Sequence, residues 1–142
     1  MQVSEIMTSH AIHITEGEPV SAAARLLRQY NIGALPVCDE QGTLRGMVTD
    51  RDIVLRCVAA ESDPRRTPIE QIMTRKIKTA RPGDYIEDAS KSMAQSQVRR
   101  LPVVEADRLV GMLALCDMAR EAHCDVEAAE ALTEISQNIR RL

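Results

Sequence analysis

Thr49 and Asp52 are oxygen-bearing side chains set three residues apart, where an apolar run ends and a helical pattern begins. Thr-x-x-Asp at a helix start is close to a capping box, in which both side chains bind N–H groups that the first turn leaves without partners. A helix N-terminus also attracts anions, and a carboxylate there can accept hydrogen bonds from both hydroxyls of a ribose. The spacing is therefore compatible with a structural cap, a ligand site, or both.

A second copy of this stretch lies further along the chain. Residues 46–52 read Gly-Met-Val-Thr-Asp-Arg-Asp, and residues 111–117 read Gly-Met-Leu-Ala-Leu-Cys-Asp. Ala114 replaces the threonine and has no hydroxyl, so one cap and ligand contact is missing beside Asp117. We expect a site at Asp117 to be weaker or empty, and any ligand to prefer Asp52.

Two adjacent cations, Arg99 and Arg100, precede the Leu-Pro-Val sequence of residues 101–103. Charged residues that enter a buried strand need a partner, and phosphate fits the fork of a guanidinium group. The first copy has Gly33 and Ala34 at the matching positions. The alternative is that both arginines are ordinary surface residues.

Composition limits the classes of protein to consider. Apolar residues make up 44% of the 142, with no Trp or Phe, so aliphatic side chains must fill the core. The net charge of −3 does not favour a nucleic-acid partner. The start lacks the pattern of a secretory signal, and no apolar run approaches the ~18 residues of a membrane helix. We therefore expect a cytoplasmic protein with no membrane partner, in which the cysteines are reduced.

Several short motifs recur with nearly constant spacing, which indicates an internal repeat. The offset is 66 residues for the early motifs and 65 for the late ones. The predicted organisation is a first unit at residues 1–60, a linker at 61–68, a second unit at 69–123 and a C-terminal helix at 125–142. The recurring motifs are Ile-Met-Thr (6–8 and 72–74), Gly (17 and 83), Leu-Pro-Val (35–37 and 101–103) and Gly-Met (46–47 and 111–112).

The periodicity of each unit predicts the order strand, helix, strand, strand, helix. The first helix should bury a stripe of residues spaced three and four apart, and a helical turn should follow the capping sequence at residues 67–70. The stripe is Ala23, Leu26, Leu27 and Tyr30. The other expected elements are strands at 11–14, 77–79, 34–38, 101–104, 44–48 and 109–113, helices at 50–60 and 117–123, and a turn at 69–73.

The last segment has apolar residues every three or four positions, which predicts an amphipathic helix. Its stripe must be buried against its own unit or against a second subunit, and we favour the second subunit. The stripe is Val126, Ala129, Leu132, Ile135 and Ile139.

The motifs together resemble tandem CBS domains, the paired unit called a Bateman module, in its stand-alone bacterial form. The resemblance rests on Ile-Met-Thr at the start of each unit, Leu-Pro-Val on the second strand, and Gly-hydrophobic-hydrophobic-Thr-x-x-Asp after the third. It implies an α/β (α+β) fold with two pseudo-symmetric β-α-β-β-α units packed through their sheets, plus the C-terminal helix. It also implies a regulatory homodimer of CBS modules that is not an enzyme and requires no cofactor.

The resemblance further implies an adenine nucleotide, such as AMP, ADP, ATP or S-adenosylmethionine, as the regulatory ligand. Thr49 and Asp52 would bind its ribose, while Asp117 would mark a weaker second site. Its phosphate would be reached by Arg99 and Arg100 from the second unit. The pocket for the base would be lined by Met47 and by Thr74 and Ile77 from the other unit's first strand. These three residues could also be ordinary core residues.

Two other functions remain open. The chain could be a structural or interaction dimer without a ligand, or a zinc-binding stress protein that uses Cys116, His123 and Cys124. The cysteine and histidine spacing matches no closed zinc motif. Catalysis has no support, because no nucleophile stands beside a base and no phosphate-binding glycine loop occurs.

Overall fold

The structure is a computed structural model that describes residues 1–121 and 125–137. Short 3₁₀ turns occur at Val3–Glu5 and Ile69–Gln71, and a π-helical turn at Val54–Val58. The strands are β1 (Thr8–Ser9), β2 (Ile14–Thr15), β3 (Ala34–Cys38), β4 (Leu44–Thr49), β5 (Arg100–Glu105) and β6 (Arg108–Ala114). The helices are α1 (Val20–Tyr30), α2 (Asp50–Ile53), α3 (Ile86–Ser96), α4 (Leu115–Arg120) and α5 (Asp125–Ser136).

The chain forms two compact units whose boundaries differ from those of the repeat. The Thr49 unit is Ile12–Ile77, and the Ala114 unit is Met1–Ala11 together with the chain from Lys78 onward. Each repeat therefore gives its first residues to the unit that is built mainly from the other repeat. As a result, the Ile-Met-Thr segment at 72–74 belongs to the Thr49 unit, and the one at 6–8 belongs to the Ala114 unit.

Each unit has a small three-stranded sheet. In the Thr49 unit the strand order is β2-β3-β4, with β2 parallel and β4 antiparallel to β3. In the Ala114 unit the order is β1-β6-β5, with both pairs antiparallel. The β3–β4 turn is closed by Asp39, whose Oδ1 accepts hydrogen bonds from the N–H groups of Gln41 and Thr43, each at 2.9 Å. The two predicted hairpins are therefore present, because the apolar runs on either side of each turn pair with one another.

The cores of both units are aliphatic, as the composition predicts. Full burial of one such side chain contributes about 1.5–3 kcal/mol of transfer free energy. Fully buried residues of the Thr49 unit include Ile14, Val20, Leu35, Val37, Val48 and Ile69. Those of the Ala114 unit include Val3, Ile86, Met93, Leu101, Leu113 and Met118.

Helix α1 follows Pro19, which occupies the N-cap position with φ −71°, and it ends before Asn31 in a left-handed conformation with φ 52°. Ala23 and Leu27 of the predicted stripe are buried. Tyr30 is 46% exposed, so the prediction that it belongs to the buried stripe is wrong. A spacing of three and four residues places side chains on one face only while the helix continues. Helix α1 ends at Tyr30.

The first strand of each repeat differs from its prediction. The strand expected at 11–14 is β2, which is shifted to Ile14–Thr15. No strand forms at 77–79, and a single parallel bridge joins the next residue, Ala80, to Val103. Strand β1 was not expected, because its two exposed polar residues carry no alternating pattern.

The helix expected at 50–60 consists of α2 and a π-helical turn that ends at Val58. In this turn the N–H of Ala59 donates to the carbonyl of Val54 at 2.8 Å, a spacing of five residues. The helix expected at 117–123 is α4, Leu115–Arg120, and residues 122 and 123 lie outside the described part of the chain.

Helix α5 folds back on its own unit and packs on α3 and α4. The buried residues are Ala128 and Ala131, whereas Val126 is 66% and Leu132 is 49% exposed. Most of the predicted stripe is therefore not the face that packs on α3 and α4, and its packing on a second subunit stays a prediction. The small side chains of Ala128 and Ala131 let α5 lie close to its neighbours. The predicted stripe consists mainly of larger apolar residues and does not include these two alanines. Ile139 lies outside the described residues.

No helix in residues 1–121 or 125–137 has both the length and the apolar character needed to cross a membrane.

Candidate functional site

The start of α2 carries the capping box that the sequence predicts. Thr49 has extended backbone, with φ −117° and ψ 164°, and its Oγ1 accepts a hydrogen bond from the N–H of Asp52 at 3.1 Å. Oδ2 of Asp52 in turn accepts from the N–H of Thr49 at 3.0 Å. The structural interpretation is thus confirmed. It does not exclude a ligand, because an ionised carboxylate has about four acceptor positions.

Thr74 lies beside this carboxylate, although it is far away in sequence. The backbone of Thr74 pairs with that of Met47, through hydrogen bonds of 2.9 Å from Met47 N–H and 2.8 Å from Thr74 N–H. The hydroxyl of Thr74 is then 3.4 Å from Oδ1 and 3.5 Å from Oδ2 of Asp52. Four of the predicted site residues, including Thr49, therefore meet within one unit, and Ile77 is half-buried at the end of the same unit.

Gly46 allows this approach because it has no Cβ. A Cβ at this position would lie 2.5 Å from the carbonyl oxygen of Thr74 and 3.2 Å from the sulfur of Met73. The same contact occurs in the Ala114 unit, where a Cβ on Gly111 would lie 2.7 Å from the carbonyl oxygen of Thr8. The repeated Gly-Met and Ile-Met-Thr motifs are therefore two sides of one backbone contact, formed once in each unit.

Sequence reasoning missed Arg56, which also contacts Asp52. Nη1 of Arg56 lies 3.8 Å from Oδ1 of Asp52, and it donates to the backbone oxygens of Ile72 at 3.1 Å and Met73 at 3.2 Å. The spacing of four residues between an acid and a base on one helix is the signal that could have found the ion pair. Nothing in the local sequence indicates the two backbone contacts.

The corresponding site of the Ala114 unit is less complete. Oδ2 of Asp117 accepts a hydrogen bond from the N–H of Ala114 at 3.1 Å, but Ala114 has no hydroxyl to return it. The side chain of Asp117 is 21% exposed, compared with 11% for Asp52. Its ion-pair partner is Arg120, at 3.8 Å and 77% exposed.

Arg100 is the first residue of β5 in the Ala114 unit, and Arg99 directly precedes this strand. Arg100 is half-buried and pairs with Ala114 across the β5–β6 ladder. Arg99 is exposed, and its carbonyl oxygen accepts a hydrogen bond from the N–H of Leu115 at 2.8 Å. The role of these two side chains toward a phosphate held at Asp52 stays a prediction.

The candidate zinc ligands are only partly described. Cys116 is exposed in the first turn of α4, whereas His123 and Cys124 lie outside the described residues. Within residues 1–121 and 125–137, no group of three or more His, Cys, Asp or Glu side chains is arranged to hold a metal ion.

Cys38 and Cys116 are expected to differ in reactivity. Burial, helped by the negative charge of Asp39, raises the pKa of the Cys38 thiol to about 11. Since the thiolate is the reactive form, iodoacetamide at pH 8 should alkylate the exposed Cys116 and spare Cys38 in the folded protein. Peptide mass mapping measures both rates, and equal rates would contradict the expectation.

The same shift gives a pH dependence of stability. An unfolded Cys38 thiol, with the ordinary pKa of 9.0, loses its proton before the folded one does. The contribution of the protonated Cys38 thiol to the free energy of unfolding is therefore complete below about pH 9 and is lost as the pH rises toward 11.

The two repeats share the order helix, strand, strand, helix and are joined by reciprocal Gly-Met and Ile-Met-Thr contacts, which together define a pair of CBS domains. The CBS domain family model matches residues 3–58 and 69–123. The CBS domain-containing protein YhcV of Bacillus subtilis (strain 168) is 44% identical over 138 residues, covering 96% of this chain and 97% of YhcV. The chain therefore belongs to the CBS domain family, and it spans nearly the whole length of this relative.

Solved structures that are similar to the chain include three with bound ligands or metal ions. Hypoxic Response Protein I, solved with two coordinated zinc ions, has 36% identity and a TM-score of 0.80, covering 85% of this chain and 98% of that protein. The CBS domain pair of MJ0100, in complex with 5-methylthioadenosine and S-adenosyl-L-methionine, has 30% identity and a TM-score of 0.75, with coverages of 84% and 94%. CBSX2 in complex with AMP has 27% identity and a TM-score of 0.74, with coverages of 89% and 98%.

Proposed function

We propose that the chain is a regulatory CBS-pair protein that binds an adenine nucleotide at Thr49 and Asp52. The observation that carries the proposal is the position of the Asp52 carboxylate, at a helix start and 3.4 Å from the Thr74 hydroxyl. The complexes of MJ0100 with S-adenosyl-L-methionine and of CBSX2 with AMP support adenine nucleotides as the ligand class.

The proposed binding chemistry assigns one role to each group. The carboxylate of Asp52 accepts the ribose hydroxyls, and Thr49 adds its own hydroxyl at the helix start. Met47 and Ile77 pack against the base near Thr74. The phosphate role is assigned to Arg99 and Arg100, whose guanidinium groups suit that anion.

Calorimetry of the wild-type protein with AMP, ADP, ATP and S-adenosylmethionine tests this proposal. We expect at least one of them to bind with a Kd below 1 mM, because the ribose contacts are charge-assisted. Replacing Arg99 and Arg100 by Gln should weaken AMP binding more than adenosine binding. Absence of binding below millimolar concentration for all four ligands would overturn the proposal.

The regulatory signal is proposed to pass through a homodimer. A ligand shifts such an assembly only to the extent that it binds two states with different affinity. The support is an exposed apolar surface on the π-helical turn after α2, where Val54, Leu55 and Val58 are 55, 49 and 61% exposed. Surfaces of this kind are typical of subunit contacts.

Val58→Glu is therefore expected to lower the mass measured by light scattering from that of a dimer toward that of a monomer, since a buried interfacial carboxylate is unpaired. Tyr30→Glu at the end of α1 is the matched control, because Tyr30 is also an exposed large side chain of the Thr49 unit, and this variant should leave the mass unchanged. A wild-type monomer, or a dimer that survives Val58→Glu, would contradict this surface assignment. A dimer that binds no nucleotide would favour the structural or interaction alternative.

Zinc binding is a second candidate, favoured by the two zinc ions coordinated in Hypoxic Response Protein I. The residues proposed for it are Cys116, His123 and Cys124. Elemental analysis of untagged protein tests it. About one zinc ion per chain, lost in Cys116→Ser, would support this role, and metal-free protein after growth with added zinc would exclude it.

A further inference from the structure

Arg56 joins two parts of the Thr49 unit that are distant in sequence. Its Nη1 donates hydrogen bonds to the backbone oxygens of Ile72 and Met73, at 3.1 and 3.2 Å. The same nitrogen lies 3.8 Å from Oδ1 of Asp52, one turn earlier on the helix. Arg56 therefore contacts the candidate ribose-binding carboxylate and the segment that carries Thr74 at the same time.

We propose that Arg56 is a positioning residue for ligand binding at Asp52, an inference that rests on the proposed function. The Asp52 side chain is only 11% exposed, and a carboxylate in that environment is stabilised by a nearby cation. The carbonyls of Ile72 and Met73 follow the 3₁₀ turn Ile69–Gln71, and a cation at the end of a helical turn stabilises such carbonyls. One guanidinium group meets both requirements.

The consequence is geometric. The carboxylate is held on one side by the N–H of Thr49, at 3.0 Å, and on the other by Arg56. Since Arg56 also holds the carbonyls just before Thr74, it keeps the Thr74 hydroxyl within 3.5 Å of the Asp52 carboxylate. A ribose at this site would then meet a carboxylate and a hydroxyl whose relative positions are already set, which lowers the ordering cost of binding.

The position in the second repeat that matches Arg56 does not carry a cation. Asp52 and Arg56 correspond to Asp117 and Glu121 in the second repeat, so a carboxylate replaces the guanidinium group. The nearby Arg120 pairs with Asp117 at 3.8 Å over three residues, and its side chain is 77% exposed. Together with Ala114 in place of threonine, this difference favours ligand at the Asp52 site.

Hydrogen exchange in the ligand-free protein tests the positioning role directly. The N–H groups of Met47 and Thr74 bond across the contact that Arg56 is proposed to hold. Arg56→Gln should speed exchange of these two amides about tenfold. Arg51→Gln, on the same helix and exposed, is the matched control and should leave both rates unchanged. Unchanged rates in Arg56→Gln would overturn the positioning role, whether or not a nucleotide binds.

Calorimetry then tests the link to the ligand, using whichever of the four nucleotides the wild type binds most tightly. Arg56→Gln should weaken binding about tenfold, and Arg56→Lys should recover part of the loss because it keeps a charged donor. Circular dichroism shows whether each variant is folded. If Arg56→Gln does not fold, the affinity of Arg56→Lys is compared with that of the wild type instead. Wild-type affinity in Arg56→Gln would overturn the inference. If the wild type binds no nucleotide, the proposed function and the ligand role of Arg56 both fail, while the exchange rates still decide its structural role.

Discussion

Gly46→Ala is expected to destabilise the protein by about 2 kcal/mol, which corresponds to a fall in Tm of roughly 5 °C. The added methyl group would lie 2.5 Å from the carbonyl oxygen of Thr74, which is backbone and cannot rotate away. The 72–74 segment must shift, and its shift separates the Thr74 hydroxyl from Asp52. We therefore expect nucleotide binding to weaken along with stability. Urea unfolding and calorimetry measure the two effects.

The chain supplies matched controls for this variant. A Cβ on Gly17 meets nothing within 4 Å, so Gly17→Ala should be neutral or slightly stabilising. Gly111→Ala makes the equivalent clash in the Ala114 unit, where a Cβ would lie 2.7 Å from the carbonyl oxygen of Thr8. It should destabilise about as much as Gly46→Ala but affect nucleotide affinity less. Equal stability of the Gly46 and Gly17 variants would contradict the close approach.

Asp52→Ala is expected to weaken nucleotide binding about 100-fold, because the two charge-assisted hydrogen bonds proposed between Asp52 and the ribose would be lost. The variant also loses the bond from the N–H of Thr49, which should cost roughly 1 kcal/mol of stability. Asp117→Ala removes the equivalent bond from the N–H of Ala114 and is therefore the control for the loss of this backbone bond. It should change affinity less than threefold.

Comparison of these two aspartate variants separates a ligand residue from a helix cap. If both variants stay folded and only Asp52→Ala loses affinity, Asp52 has a role beyond capping. If Asp52→Ala binds as tightly as the wild type, the capping box is its whole function.

Much of the fold could be predicted from the sequence, because the repeat supplies each element twice. The hairpin strands and the capping box at Thr49 follow from local patterns of apolar and turn residues, and these patterns depend on few distant contacts. Strand β1 and the Met47–Thr74 pair could not be found in this way, because both depend on backbone contacts between distant segments. Periodicity describes one segment at a time and does not show which segment it will pair with.

The candidate site also contains some residues that local sequence patterns indicate and others that they do not. Thr49 and Asp52 stand out because their spacing is a helix-start signal, and Thr74 was proposed through the family resemblance. Arg56 was missed because its main contacts are with the backbone carbonyls of Ile72 and Met73. Every residue type has a backbone carbonyl, so the sequence does not mark these two acceptors. The buried face of α5 was missed for a different reason, since alanines bury well but contribute little to an apolar stripe.

A crystal structure of the protein grown with AMP tests the central claim most directly. We expect one nucleotide per chain, with its ribose hydroxyls within hydrogen-bond distance of the Asp52 carboxylate and the site at Asp117 empty or partly occupied. A nucleotide bound only at Asp117, or no nucleotide at millimolar AMP, would contradict it.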